Sequence, residues 1–94
     1  MIKERISERL AFVMNIMKES AEAEREGNTY HAACLTASAR DSLTVLSDNV
    51  NGLACALSDD GYDNAYFNDL DARIANLLDR TVMRLETLEN SLKG

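Results

Sequence analysis

The residue types best suited to catalysis or metal binding are His31 and Cys34, which lie three positions apart. His31 is the only histidine of the 94-residue chain, so any Ser-His-Asp or Cys-His arrangement must use it. On a helix, this spacing places the two side chains on neighbouring faces of one turn. Zinc would need two further ligands, and Cys55 would lie about 30 Å further along the same predicted helix. We therefore predict a histidine near a helix cap and a small buried cysteine, with no metal site and no cofactor.

The segment from residue 59 to residue 71 is the most unusual stretch of the chain. It holds five aspartates and three of the five aromatic residues, and these aspartates account for almost all of the formal net charge of −6. An EF-hand calcium loop has acidic or amide ligands at its first positions, glycine at its sixth and glutamate at its twelfth. With Gly61 in the sixth position, Ala56 is first and Phe67 is twelfth. The calcium motif therefore fails.

Other enzyme and ligand classes leave no pattern in the sequence. It has no glycine-rich phosphate loop, no zinc-ribbon cysteines and no paired glutamates in an apolar setting, so we expect a protein without enzymatic activity. Direct nucleic-acid binding is not expected, because the net charge is negative. The arginines of the last predicted helix are instead expected to pair with glutamates of the first. These residues are Arg73, Arg80 and Arg84, and Glu19, Glu22 and Glu26.

Composition predicts an almost entirely helical chain. It contains no proline, no tryptophan and only four glycines, so the strongest helix breakers are nearly absent. No apolar run reaches the ~18 residues of a membrane span, and the amino terminus lacks a signal-type apolar block. Two cysteines without a secretory context suit a compartment where thiols stay reduced. We expect a soluble cytoplasmic protein without membrane contact.

Two of the glycines divide this helical sequence. Gly27 and Gly61 can each end a helix in the left-handed conformation. The candidate caps of the helices that follow are Asn28 or Thr29, and Asp60 or Asp63. The predicted helices span roughly residues 3–26, 30–58 and 63–92. We expect an all-α fold, a three-helix antiparallel bundle that forms a single domain over residues 1–94.

Apolar residues recur every three or four positions in the second and third helices, which places them on one face of each. These stripes comprise Leu35, Ala39, Leu43, Leu46, Val50, Leu53 and Leu57, and Phe67, Leu70, Ile74, Leu77, Thr81, Leu85, Leu88 and Leu92. The opposite flank of the second helix carries small residues, namely Cys34, Ser38, Val45, Gly52 and Ala56. We expect this flank to let another backbone approach closely, with Gly52 retained for packing.

The first helix is apolar over an arc of about 200°, well beyond the ~100° stripe that a helix on one core needs. Two interpretations remain open. The helix is sandwiched against both others, or part of it is a self-association seam that makes the protein a homodimer. The predicted seam consists of Leu10, Phe12, Val13, Ile16 and Met17.

The remaining candidate is the acidic tip, which we define as Asp59, Asp60, Tyr62, Asp63, Tyr66 and Asp69. Helix capping explains aspartates at a helix start. It does not explain two tyrosines beside them. Tyrosine among carboxylates is the chemistry expected where a partner presents arginine or lysine, through cation–π contacts and charge-assisted hydrogen bonds. Capping and partner binding therefore both remain open for the tip.

The functional hypothesis is a non-enzymatic protein–protein interaction module. By size, charge and helicity it is comparable to the small acidic inhibitors or adaptors of phages and mobile elements, which occlude a basic, nucleic-acid-handling surface on a partner. One alternative is a structural, assembly or escort subunit that binds through its helix faces. Another is an oligomeric small-molecule binder with a pocket lined by Tyr30, His31 and Cys34.

Overall fold

The described part of the chain, residues 2–61 and 63–94, contains three α-helices and no strand in the computed structural model. Helix α1 spans Ile2–Arg25, α2 spans Thr29–Asp59 and α3 spans Ala65–Lys93. The all-α, three-helix prediction is confirmed, and every boundary lies within one or two residues of its predicted position. None of these helices is both long enough and apolar enough to cross a membrane.

The connection between α1 and α2 follows the capping signals in the sequence. Gly27 adopts a left-handed conformation with φ of 83°, which L side chains rarely accept. The side chain of Asn28 then accepts a hydrogen bond from the backbone N–H of His31 at 3.0 Å. Asn28 therefore caps α2, as predicted, and His31 lies in the capping region.

The connection after α2 uses only one of the two candidate caps, Asp60 or Asp63, for α3. Gly61 has φ of 81° and ends the helix as expected. Asp60, however, is the C-cap residue of α2: its backbone N–H donates to the carbonyl oxygen of Ala56 at 3.1 Å, and its carboxylate makes no hydrogen bond to α3 among the described residues. The helix continues for one residue more than expected, so the backbone N–H of Asp60 still bonds to the last turn of α2.

Helix α2 lies between α1 and α3 and runs antiparallel to both. Ser20 near the end of α1 bonds to Thr36 near the start of α2, and Asn64 before α3 bonds to Ala54 near the end of α2. Among the described residues, no Cα atom of α1 comes within 8 Å of one of α3. The molecule is elongated, 52 × 23 × 15 Å. Helix α1 is therefore packed on α2 and meets α3 only through side chains.

The core contains the predicted stripes. Its main cluster consists of Ile6, Val13, Ile16, Ala39, Leu43, Leu46, Val50, Ala54, Phe67, Leu70 and Ile74. A smaller cluster near the ends of α1 and α3 consists of Ala23, Ala32 and Leu88. All three helices contribute to both clusters, so side-chain packing joins α1 to α3 where their backbones remain apart.

A buried polar layer separates the two clusters. Ser20, Thr36 and Thr81, one from each helix, are fully buried. The hydroxyl oxygens of Ser20 and Thr36 are 2.8 Å apart, and both lie within hydrogen-bond distance of the carbonyl oxygen of Ala32. Thr81 donates to Leu77 in its own helix at 2.8 Å. No buried side-chain nitrogen or oxygen of the described residues lacks a partner.

The small-residue flank of α2 does not face another helix of the same chain. Its members Cys34, Ser38, Val45, Gly52 and Ala56 are exposed. A Cβ atom added at Gly52 would meet nothing within 4 Å. The prediction that Gly52 serves close packing is therefore wrong for the single chain, because α1 and α3 occupy the other sides of α2.

Replacing Gly52 with alanine is expected to stabilise the protein by about 1 kcal/mol, since the side chain meets no neighbour and alanine favours the helix. This corresponds to a rise in Tm of about 4–8 °C for a domain of this size, measurable by circular dichroism. The matched variant Gly27→Ala should lower Tm, because its φ of 83° disfavours an L side chain. Equal shifts for the two variants would contradict this explanation.

Candidate functional site

The acidic tip lies at one end of the bundle, where α2 ends, α3 begins and α1 starts. The ammonium nitrogen of Lys3 is 4.2 Å from the centroid of the Tyr66 ring, so the start of α3 lies beside the start of α1. Asp59, Asp60 and Asp63 are exposed. Tyr62 lies outside the described residues.

Capping accounts for Asp63. Its carboxylate accepts the backbone N–H of Ala65 at 3.0 Å, where α3 starts. The next residue, Asn64, does not cap with its side chain and instead donates its amide to the carbonyl oxygen of Ala54 in α2 at 3.0 Å. These two bonds hold the connection to both helices, so the tip has a defined shape.

Two other aspartates of the segment have partners within the chain. Asp69 pairs with Arg73 one turn later in α3 at 3.0 Å, and both side chains are well exposed. Asp71 accepts a hydrogen bond from Ser47 of α2 at 3.2 Å. Asp69 is thus partly neutralised by its own helix, although an exposed pair of this kind holds its partner by only a few tenths of a kcal/mol.

Asp59 and Asp60 differ from the other aspartates of the segment. Within the described part of the chain, neither carboxylate makes a hydrogen bond or an ion pair. They also follow one another at the C-terminal end of α2, which has no basic residue in its last turn. The helix macrodipole is negative at that end, so two carboxylates there oppose it. Capping therefore does not explain Asp59 and Asp60.

Tyr66 is held in one orientation by its neighbours. The Tyr66 and Phe67 rings pack edge to face, with a centroid distance of 5.1 Å and an interplanar angle of 89°, and Phe67 is anchored in the core. The Lys3 ammonium group covers one face of the Tyr66 ring. Sequence reasoning missed Lys3, which the antiparallel order of the helices could have indicated. The ring already binds a cation, and it is half-exposed.

The predicted self-association seam is largely internal. Val13 and Ile16 belong to the core, and Leu10 and Met17 pack against it. Of the five seam residues, only Phe12 is mainly exposed, with 58% of its surface accessible. The seam as predicted is therefore wrong for Val13 and Ile16, which lie on the side of α1 that α2 covers.

The arginine stripe of α3 is only partly paired with α1. Arg84 reaches Glu24 at 3.4 Å and the hydroxyl of Ser20 at 3.2 Å. The partner in α1 is thus Glu24 and none of the three glutamates named from the sequence. Arg73 pairs within α3. Arg84 therefore joins α3 to α1, and Arg73 complements a charge within α3.

The surroundings of Cys34 in the structure differ from those predicted. Cys34 and Cys55 are free and exposed, so the expectation of a buried cysteine is wrong. Tyr30 and Cys34 line a shallow groove of about 240 Å³ against Leu85 and Leu92 of α3, but His31 does not line it. Among the described residues, no group of three or more His, Cys, Asp or Glu side chains is arranged to hold a metal ion.

Comparison with known proteins does not extend this description. No protein-family model, no curated protein and no solved structure matches the chain. The tip itself offers two carboxylates that have no partner among the described residues, and an aromatic ring that already holds an ammonium group.

Proposed function

We propose that this protein is a non-enzymatic interaction module whose acidic tip binds a basic surface of a partner protein. The observation that carries the proposal is the position of Asp59 and Asp60. They lie together at the end of α2, where they oppose the helix macrodipole and have no partner among the described residues. Residues that lower stability and make no compensating structural contact are expected mainly at functional sites.

The chemistry of the tip favours arginine or lysine as the group that is bound. Carboxylates accept charge-assisted hydrogen bonds from guanidinium and ammonium groups. The Tyr66 ring already holds the Lys3 ammonium group at 4.2 Å, which is the geometry of a cation–π contact. A partner that presents basic residues could add to this arrangement without any rearrangement of the helices.

Within this class we propose a small acidic inhibitor or adaptor, of the type carried by phages and mobile elements. Its partner would be a protein whose basic surface otherwise contacts the phosphates of a nucleic acid. Neighbouring carboxylates on a rigid support can occupy such a surface, because it is built to attract clustered negative charge. We propose a cytoplasmic setting, since both thiols are free and exposed and suit a reducing compartment.

The test is binding of a short polyarginine peptide, followed by fluorescence anisotropy at low and moderate salt. The double variant Asp59→Asn, Asp60→Asn is expected to weaken binding about tenfold, since two exposed ion pairs contribute up to about 1 kcal/mol each. It should also reduce the dependence of binding on salt.

The control for this test has the same net charge. Asp48 and Asp79 are exposed aspartates on α2 and α3, away from the tip. Asp48→Asn, Asp79→Asn is therefore expected to bind almost as well as the wild type. If the two double variants weaken binding equally, binding of the peptide depends only on the net charge of the protein, and the proposal is wrong.

A structural or assembly role through the helix faces is the second candidate. The exposure of Phe12 beside a groove between α1 and α2 favours it, because a larger apolar patch on the surface marks an interaction site. This role includes the proposed homodimer and does not require the tip.

A further inference from the structure

Phe12 lies beside two adjoining grooves between α1 and α2. One groove, of about 320 Å³, is lined by Glu8, Arg9, Phe12, Val13 and Ser42. The other, of about 260 Å³, lies nearer the tip and shares Arg9. Since an apolar cavity of about 150 Å³ can hold benzene, either groove has room for a phenyl ring. The surface therefore offers both an exposed ring and a place for one.

The charges around Phe12 are balanced. Arg5, Glu8, Phe12 and Glu19 are spaced by three, four and seven positions, which keeps them along one face of α1. Arg5 and Arg9 offset Glu8 and Glu19, so this face is neutral, whereas the whole chain carries a formal charge of −6. Two copies of the chain would repel each other at the tip and would not do so here.

The order of these charges selects a partner and an orientation. Arg5 and Glu19 are each seven positions from Phe12. When two copies of α1 pair antiparallel about Phe12, Arg5 of each copy faces Glu19 of the other, twice in a two-fold dimer. In a parallel pair, Arg5 would face Arg5 and Glu19 would face Glu19, which is repulsive. The face is thus complementary to itself in the antiparallel orientation.

Helix α2 supplies the neighbouring surface. Between Ser42 and Ser58 its only charged residue is Asp48, and the exposed flank there consists of Val45 and smaller residues such as Gly52. No helix of the same chain covers this flank. A second copy could approach it closely without leaving a charge buried and unpaired, which would be costly.

We propose that a second copy of this chain docks on the face around Phe12 to form a two-fold dimer with antiparallel α1 helices. Phe12 of each copy enters the groove beside Glu8, Arg9 and Ser42 of the other copy, and Arg5 of each copy pairs with Glu19 of the other. This assembly goes beyond tip binding, because it leaves both acidic tips free at its outer ends.

The first test is sedimentation equilibrium of the wild-type protein and of Phe12→Ser. The wild type should be a dimer, and the variant should dissociate at least about thirtyfold more readily, as for a central aromatic contact. Met14→Ser is the control, since Met14 is 55% exposed on the other side of α1, and it should leave the dissociation constant unchanged. A monomeric wild type, or a Phe12→Ser variant that remains a dimer, would overturn the proposal.

The second test is an exchange of the two charges. Arg5→Glu and Glu19→Arg should each weaken the homodimer about tenfold. Mixing these two variants should give a heterodimer, and the double variant should regain the wild-type dissociation constant. If each single variant weakens the dimer and the double variant does not recover, the antiparallel register is wrong. If neither single variant has an effect, Arg5 and Glu19 do not pair across the interface and the proposal fails.

Discussion

Leu43→Ala is expected to lower the free energy of unfolding by about 2–5 kcal/mol, because truncation of a buried leucine loses its packing and leaves a cavity. Leu43 is 0% exposed and lies in the main core cluster, on the helix that contacts both others. A chain of this length is stable by only about 5–14 kcal/mol in total. The variant should therefore lose a large part of its stability, which urea denaturation would measure.

The control for this substitution is Met83→Ala on α3. Met83 is 67% exposed, so its truncation should change the free energy of unfolding by no more than about 0.5 kcal/mol. If Leu43→Ala costs no more than Met83→Ala, α2 is not the centre of the core and the described packing is wrong.

Ser20→Ala is expected to cost about 1–3 kcal/mol, because it removes the polar atom that joins the three helices. The Ser20 oxygen lies 2.8 Å from that of Thr36, 3.0 Å from the Ala32 carbonyl oxygen and 3.2 Å from an Arg84 nitrogen. Each hydroxyl has one proton: Thr36 donates to the Ala32 carbonyl oxygen, and Ser20 accepts from Arg84 and donates either to Thr36 or to the same carbonyl oxygen. Loss of Ser20 removes the central member of this hydrogen-bond network.

A double-mutant cycle with Thr36→Val tests that arrangement. The combined loss should differ from the sum of the single losses by at least about 0.5 kcal/mol, since the two hydroxyls share one network. Ser7→Ala is the matched control, because Ser7 is exposed on the same helix, and its effect should stay within about 0.5 kcal/mol. Strictly additive losses for Ser20 and Thr36 would show that their hydroxyls act independently.

The helices could be predicted because each is specified locally. Apolar spacing of three and four indicated the buried faces of α2 and α3, which Leu43 and Ile74 confirm. Glycines with a left-handed backbone end the first two helices, at Gly27 and Gly61. Each of these signals depends only on residues that are close together in the sequence, so it could be recognised without knowing the fold.

Features that depend on how the helices cross were not predictable. The apolar arc of α1 contains Ile16 and Phe12, yet one is buried and the other exposed, and only the position of α2 decides which. Ser20 and Thr36 resemble ordinary surface residues in sequence, but they face each other across a helix pair. Cys34 was expected in the core for its size, and it lies on the flank that no helix of the chain covers.

The acidic tip also combines features that the sequence shows with features that only the fold shows. Its composition was evident from the sequence, but the partners that distinguish its aspartates come from the fold. Asp63 caps α3 and Asp69 pairs with Arg73, whereas Asp59 and Asp60 have no partner among the described residues. Asp60 was one of the two candidate caps of α3. It is instead the C-cap residue of α2, and this position supports the proposed role in binding.

The most direct test of the proposed tip function is an NMR titration of the ¹⁵N-labelled protein with the short polyarginine peptide. The proposal predicts that the largest shifts in backbone amide resonances occur at Asp59, Asp60 and the start of α3, together with Lys3, whose ammonium group shares the Tyr66 ring. Amides around Tyr30 and Cys34, at the opposite end of the bundle, should not move. Shifts spread evenly over the acidic residues, or centred away from the tip, would contradict the proposal.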